Sequence, residues 1–457
     1  MRAEQPVIFW TLILAVSLSP VPFASVYAWS WSLLACVAGA LVAAWSVRVI
    51  VGAQKAAFGL RATWPFLLPF AVVAGWTALQ TVSWTPPAWH HPLWDSAERA
   101  LALPLAGRIS LNADETLSAL TRLLAYGGIF WLALQYGRRT LRAEQIFYAI
   151  IAAGVVYGAL GLVQTWFGWQ SRLGLPGAGD GWAIGGGSAP HHPFATYVSL
   201  ALICVSSFIL SSGAPTPRRF NLREFARRLV DGSSVSWRLL AVWLLLLAMV
   251  PSFGSRDDVV SLWLALGVLA LLALTGKLAR WLRVTVFALA SVLVVASLGY
   301  VMDASGLAPA PPQGADAEQL ERLHALTQDA MADAPILGTG AGTFEEVFRF
   351  YRTSEFQATV MHARSGYHET VLELGAIAAG ALFLLFAVFA VLTLSGALKR
   401  QRDSAYAAAG FAATVLVGAH ASFDYSLKVP AIAATYCLLV GAACAQSWSS
   451  RREDDAW

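Results

Sequence analysis

Apolar residues run through this chain in long blocks that alternate with short polar connections. A helix that crosses a membrane needs about 20 predominantly apolar residues. Twelve blocks come close to this length, and they lie near residues 6–26, 29–48, 63–83, 116–136, 145–167, 192–212, 237–253, 258–276, 282–302, 368–396, 405–423 and 429–447. The pattern predicts an all-α polytopic membrane protein with about 12 transmembrane helices, forming a single integral membrane domain over residues 1–457.

Composition supports this class. The chain is 57% hydrophobic and 13% charged, and it contains 19 tryptophans. A large soluble domain carries more charge than this, and tryptophan collects where a bilayer meets water. The four cysteines show no metal-type spacing, so the sequence indicates neither a metal site nor a cofactor.

Lysine and arginine concentrate in every second connection. Because such connections stay on the cytoplasmic side, we expect both termini to be cytoplasmic. The first block is interpreted as a retained helix, although Arg2 and the small-residue pattern at 26–28 also fit a cleaved signal peptide. The basic segment 214–232 is expected to lie on the anionic inner leaflet rather than to bind nucleic acid. The stretch 303–367 becomes a long outside loop.

That outside loop is the longest polar interruption of the chain. Its periodicity predicts an amphipathic helix over 316–331, which Pro335 would close. A GTGAG sequence follows at 338–342, and we interpret it as a tight turn rather than a phosphate cradle, because no strand precedes it and no Walker lysine follows. Thr343 and Glu346 have the spacing of a capping box for a second short helix.

Ionisable residues cluster where this loop re-enters the membrane. Charge so close to hydrocarbon is costly, and it marks a functional site by default. The cluster comprises Arg322, Arg349, Arg352, His362, Arg364, His368, Glu369 and Glu373. A second charged position, Arg256, precedes Asp257 and Asp258 between two spans. Its planar fork suits a phosphate, although an ordinary turn with a local arginine–aspartate pair fits equally.

The order of these motifs resembles the O-antigen ligase and O-antigen polymerase superfamily. The resemblance covers roughly residues 120–445 and includes IFYAIIAAGVVYGALGLVQ, HHPFATYVSL, an outside SR at the head of a span, ERLHALTQDAMADAPILGTGAGTF and HARSGYHETVLELG. It implies a metal-independent, inverting glycosyltransferase of the bacterial inner membrane with its active site facing the periplasm. Such an enzyme works in O-antigen, capsule or exopolysaccharide synthesis.

The resemblance also implies the substrates and the residues that bind them. The donor would be a glycan on undecaprenyl pyrophosphate, and the acceptor a glycan or lipid-linked hydroxyl. Arg256 and Arg322 would hold the pyrophosphate leaving group, whose charge grows during transfer. The neighbouring side chains expected to contact substrate are Arg364, His362, Glu369, Arg349 and Arg352.

This sequence departs from the family at the general base. Aligning HARSGYHETVLELG on its glycine places Arg364 and Ser365 where the family has a His-Asn pair, and arginine cannot act as a base. We predict that His368 takes that role, stacked with Arg364 on one helical face and oriented by Glu369 or Glu373. The alternatives are His362, or no catalytic base.

Two other functions remain open from the sequence. Twelve spans with cytoplasmic termini also describe a secondary transporter, but the connection after the second span lacks the acidic-arginine signature of the major facilitator family. The third possibility is a non-catalytic assembly subunit that kept the fold and lost the histidine.

Overall fold

A computed structural model describes residues 6–21, 25–167, 192–211, 234–253, 256–274, 315–353, 356, 360–400 and 403–448. Within these ranges the regular structure is helical, as predicted. The helices in chain order are α1 (Pro6–Leu18), α2 (Ala28–Ile50), α3 (Leu60–Gln80), α4 (Leu93–Leu101), α5 (Ala113–Tyr136), α6 (Thr140–Phe167), α7 (His192–Ser211), α8 (Ser234–Phe253), α9 (Arg256–Leu274), α10 (Ala315–Asp333), α11 (Phe344–Tyr351), α12 (Gly366–Lys399), α13 (Ser404–His420) and α14 (Pro430–Ser447). Short 3-10 turns occupy Pro87–Trp89 and Ser426–Lys428.

Each predicted span except 282–302, which lies outside the described residues, overlaps a helix, but the first prediction, 6–26, is too long, because α1 ends at Leu18. Six of the described helices, α2, α3, α5, α6, α12 and α14, are long and apolar enough to cross a membrane. The apolar parts of α1, α7, α8 and α13 are shorter. The structure therefore supports a helical membrane protein with six candidate spans, and the topology of 12 spans stays a prediction.

Helix α14 lies at the centre of the bundle and is buried almost throughout. It packs against α5, α6, α12 and α13. Small residues permit these close contacts: a Cβ added to Gly441 would lie 2.7 Å from the Ala133 Cβ, and one added to Gly410 would lie 2.3 Å from the Ala443 Cβ. Association through small residues is how helices approach closely in a membrane, where burial of apolar surface adds little.

Helix α12 is broken near its start. Gly375 has φ +72° within the helical run, and a Cβ added there would lie 2.1 Å from the Ile336 carbonyl oxygen. Only glycine tolerates both the left-handed backbone and this approach. The break leaves carbonyl groups of the turn before Gly375, those of Leu372, Glu373 and Leu374, without partners inside the helix, so donors from elsewhere must satisfy them.

The GTGAG turn and the end of α3 supply those donors. Thr339 N–H donates to the Leu372 carbonyl and Gly340 N–H to that of Glu373, both at 3.0 Å. The buried Gln80 side chain donates to the same Glu373 carbonyl at 2.9 Å and accepts from Ala341 N–H at 3.2 Å. The N–H groups of Thr339 and Gly340 are committed to α12 and that of Ala341 to α3, which supports the tight-turn interpretation of GTGAG.

The described part of the long polar loop at 303–367 forms two helices where the sequence predicted them, but the predicted capping box is wrong. Thr343 precedes α11 without an extended backbone, so its hydroxyl points back and donates to the Gly340 carbonyl at 2.7 Å. Glu346 instead accepts from the Asn112 side chain at 2.9 Å. Asn112 also caps α5 through the N–H groups of its first turn, which ties the loop to the bundle.

Candidate functional site

Two carboxylates project from the first turns of α12 into the interior. Glu369 and Glu373 are 1% and 3% exposed, and their spacing places them on one helical face. The Nζ of Lys428 lies 2.6 Å from Glu373 Oε2 and 3.3 Å from Glu369 Oε1. Burial lowers the pKa of Lys428, but the two carboxylates outweigh burial and the net change raises that pKa. Lys428 is therefore a charged partner for both acids.

His362 is held by the same network. Its Nδ1 lies 3.0 Å from Glu369 Oε1, and its ring stacks on Tyr425 with centroids 4.4 Å apart and planes 10° apart. Since an ionised carboxylate only accepts hydrogen bonds, the Nδ1 of His362 is the donor in this contact. Glu369 also accepts from Ala363 N–H at 3.2 Å. One carboxylate therefore fixes the ring, its tautomer and the adjoining backbone.

A cavity of about 1420 Å³ opens beside this network. Most of its wall is apolar, and it is formed by α2, α3, α5 and α12, including Trp31, Phe70, Leu123, Phe386 and Phe389. One end is charged, where His362, Glu369, Glu373, Tyr425 and Lys428 line it. This combination of an apolar chamber and a charged end suits a ligand with a long hydrocarbon part and a polar head.

A second polar cluster lies next to the first, behind the turn that carries Lys428. Asp258 from α9, His420 from α13 and Asp424 are buried, and they place oxygen and nitrogen atoms within 4.8 Å of one another. Thr196 on α7 contacts His420 Nδ1 at 2.7 Å and the Ser426 hydroxyl at 2.8 Å. Asp258, His420 and Asp424 could together hold a divalent cation. This grouping has no signature in the sequence.

The predicted pairing of Arg364 with His368 is wrong. Arg364 has φ +51°, and α12 begins only at Gly366, with Ser365 as its N-cap. The left-handed turn places Arg364 before the helix rather than on its face. Glu369 also orients His362 and not His368, because the carboxylate turns into the bundle interior.

His368, in the first turn of α12, instead faces α10, the first helix of the long polar loop. Its ring centroid lies 5.4 Å from that of His324. Among the described residues, the His368 Nδ1 and the His324 Nε2 are buried without a hydrogen-bond partner. Burial, followed by the neighbouring His368, lowers the pKa of His324. His368 is not among the described residues that line the cavity.

The predicted arginines are dispersed in the structure. Arg322 is exposed on α10, Arg349 forms an ion pair with Glu345 on α11, and Arg352 is exposed just after α11. None of the three is among the described residues that line the cavity. Arg256 begins α9, and its side chain lies outside the described residues. The cations that do line the cavity in the described part are Lys428 and Arg122.

Sequence reasoning missed the contribution of the connection between α13 and α14. His420, Asp424, Tyr425 and Lys428 all come from HASFDYSLKVP at 420–430. This run is unusually polar for a short connection between two apolar helices, and that is the signal that could have identified it. Its distance from the outside loop in the sequence, more than fifty residues, concealed the contact.

Comparison of the chain with family models gives no match, and comparison with curated proteins gives none either.

Proposed function

We propose that this protein is a membrane glycosyltransferase of the O-antigen ligase or polymerase kind. It would transfer a sugar chain from undecaprenyl pyrophosphate to a hydroxyl of a glycan or lipid-linked acceptor, on the periplasmic face of the inner membrane. The observation that carries the proposal is His362, held by the buried Glu369 at the charged end of an apolar cavity. The motif order in the sequence supports the same activity.

The chemistry needs one base. The acceptor hydroxyl loses its proton to Nε2 of His362 while its oxygen bonds to the anomeric carbon of the donor. The bond between that carbon and the pyrophosphate oxygen breaks, and its electron pair leaves with the lipid pyrophosphate. Glu369 stabilises the imidazolium that forms, in the way that a buried carboxylate supports a catalytic histidine. Direct displacement inverts the anomeric centre.

The leaving group needs cations that are not already neutralised. Lys428 is held by two carboxylates, so it has little charge to offer a pyrophosphate. We keep Arg256 and Arg322 as the residues that bind the leaving group on the family resemblance alone, because Arg322 does not line the described cavity and the Arg256 side chain lies outside the described residues. Their forked donors match the geometry of a phosphate better than lysine does.

The position of the charged end favours transfer over transport. It is built from the start of α12, the end of α13 and the turn at Ser426–Lys428, the same end of the bundle that contacts the outside loop. A secondary transporter places its site near the bilayer midplane, between two structural repeats.

The test is a transfer assay with the purified full chain in detergent and a lipid-linked oligosaccharide. We expect longer or transferred glycan together with released undecaprenyl pyrophosphate. Arg256→Ala and Arg322→Ala should each abolish product, and the lysine variants should recover part of it. Arg99→Gln, on the exposed face of α4, is the matched control and should retain activity. A folded protein that binds the donor and transfers nothing would instead be a non-catalytic subunit.

A further inference from the structure

One cation in the cavity has no part in the chemistry above. Arg122 lies in α5, about 14 Å along the helix axis from Ala113 at 1.5 Å per residue. Its side chain is half-buried and lines the cavity. Because α5 is long and apolar enough to be a candidate span, an arginine within it is costly and marks a functional site.

No carboxylate within the described ranges forms an ion pair with Arg122. The guanidinium lies over the Trp31 ring, 5.4 Å from its centroid, and this cation–π contact does not neutralise the charge. Three carboxylates line the cavity nearby: Glu345 pairs with Arg349, Glu346 accepts from Asn112, and Glu115, seven residues before Arg122 on α5, forms no ion pair with it. The positive charge of Arg122 is thus directed to the cavity.

The surroundings of Arg122 fit a head group rather than another side chain. A Cβ added to Gly342 would lie 3.7 Å from Arg122 Nη2, so the guanidinium lies beside the turn that precedes α11. Gly342 and Trp31 line the same cavity. Below this level the wall is apolar, with Leu123 and Phe70 among its residues. An anion at Arg122 can therefore be joined to a hydrocarbon chain in the chamber.

We propose that Arg122 is an anion subsite that binds a phosphate group of a lipid ligand whose chain occupies the apolar chamber. The guanidinium offers two parallel N–H donors to phosphate oxygens, and the Trp31 ring holds its plane. This subsite would bind the donor of the proposed function. It rests on that function only for the choice of a pyrophosphate-bearing isoprenoid as the ligand.

Binding of geranylgeranyl pyrophosphate to the purified full chain, measured by thermophoresis in detergent, tests the subsite. We expect Arg122→Gln to weaken binding on the order of 10-fold or more, as expected for loss of hydrogen bonds to a charged group. Arg122→Lys should recover part of the affinity, and Arg99→Gln should bind as the wild type does. Geranylgeraniol, which lacks the anion, should bind wild type and Arg122→Gln equally, and this shows that the chamber of the variant is intact.

Unchanged affinity of Arg122→Gln for geranylgeranyl pyrophosphate would overturn the subsite. Inorganic pyrophosphate is the second ligand to test. If it binds as tightly as geranylgeranyl pyrophosphate, the site binds a soluble anion, and the proposal of a lipid ligand is wrong. Loss of geranylgeraniol binding in Arg122→Gln would also count against the proposal, since it would make Arg122 a structural residue. The readout is binding, so a failed transfer assay would overturn the proposed function alone.

Discussion

His362 and His368 lie six residues apart in the sequence, yet the start of α12 places them in opposite chemical surroundings. His362 contacts a buried carboxylate and an aromatic ring, and it lines the cavity. His368 contacts a second imidazole, His324, outside the described lining of the cavity. A carboxylate favours the protonated imidazole and a neighbouring base opposes it. The same residue type therefore meets a carboxylate and an aromatic ring on one side, and another imidazole on the other.

The charges around each histidine follow the same division. On the cavity side, Lys428 lies between Glu369 and Glu373, so a proton gained by His362 joins a network that already contains two acids. On the loop side, the charges that act on His324 are those of His368 and Arg364, and both lower its pKa. These differences support the proposal that His362 is the base, and the following predictions test it.

The largest difference should appear in turnover. We expect His362→Gln to reduce transfer on the order of 100-fold or more, the usual scale for a positioned acid–base group, with donor binding near normal. His368→Gln should keep most of the activity, because its ring does not line the described cavity. Steady-state rates of both purified variants provide the measurement. Loss of turnover in His368→Gln with normal rates in His362→Gln would reverse the assignment.

The second-largest difference should appear in thermal stability, between variants of the network around His362 and variants of His368. Lys428→Met leaves two buried carboxylates without their cation, and breaking a buried ion pair in this way costs about 3 kcal/mol or more. His368→Gln removes a ring nitrogen that has no described partner, and we expect a change of less than about 1 kcal/mol. Thermal unfolding in detergent compares them, with Lys428→Arg as the charge-preserving control. Equal melting temperatures for Lys428→Met and wild type would contradict the network.

The stacking of Tyr425 on His362 should have a smaller effect. Tyr425→Leu removes the aromatic face, and an aromatic contact of this kind contributes about 0.5–1.5 kcal/mol, so we expect transfer to fall about 2- to 10-fold. Tyr425→Phe keeps the ring and should stay within about 2-fold of wild type by the same principle. If the phenylalanine variant is as impaired as the leucine variant, the hydroxyl and not the stacking is what matters.

The smallest effect concerns pH and the docking of α10. Burial, then His368, lowers the pKa of His324 from 6.5, so the folded protein binds this proton less readily than the unfolded chain. The His324 contribution to stability is therefore complete above the unfolded pKa and declines as pH falls below about 6.5. Hydrogen exchange of α10, corrected for the intrinsic rate, should show less protection at acidic than at neutral pH.

His324→Gln should remove most of this pH dependence, while His90→Gln, in the loop before α4, should retain it. A pH dependence that persists unchanged in His324→Gln would mean that another group controls the docking of α10.

Some of this arrangement follows from local pattern. Long apolar blocks predicted the described helices of the bundle to within a few residues, except α1, which ends eight residues before its predicted span, because a membrane demands both length and continuous hydrophobicity. The end of the helix before Pro335 and the tight GTGAG turn could also be predicted. Proline restricts the backbone and glycine permits conformations that other residues avoid, wherever they occur. The sequence likewise indicated that charge concentrates at the start of α12.

The tertiary structure decided which of those charges meet. The positive φ of Arg364 separates it from His368, and that conformation depends on packing rather than on residue type alone. Lys428 and Tyr425 join His362 only because α12, α13 and α14 pack together. The sequence by itself determined a helical membrane protein with a charged entry to one helix. The choice of His362 as base and of Arg122 as anion subsite depends on contacts between residues far apart in the chain, which no local periodicity encodes.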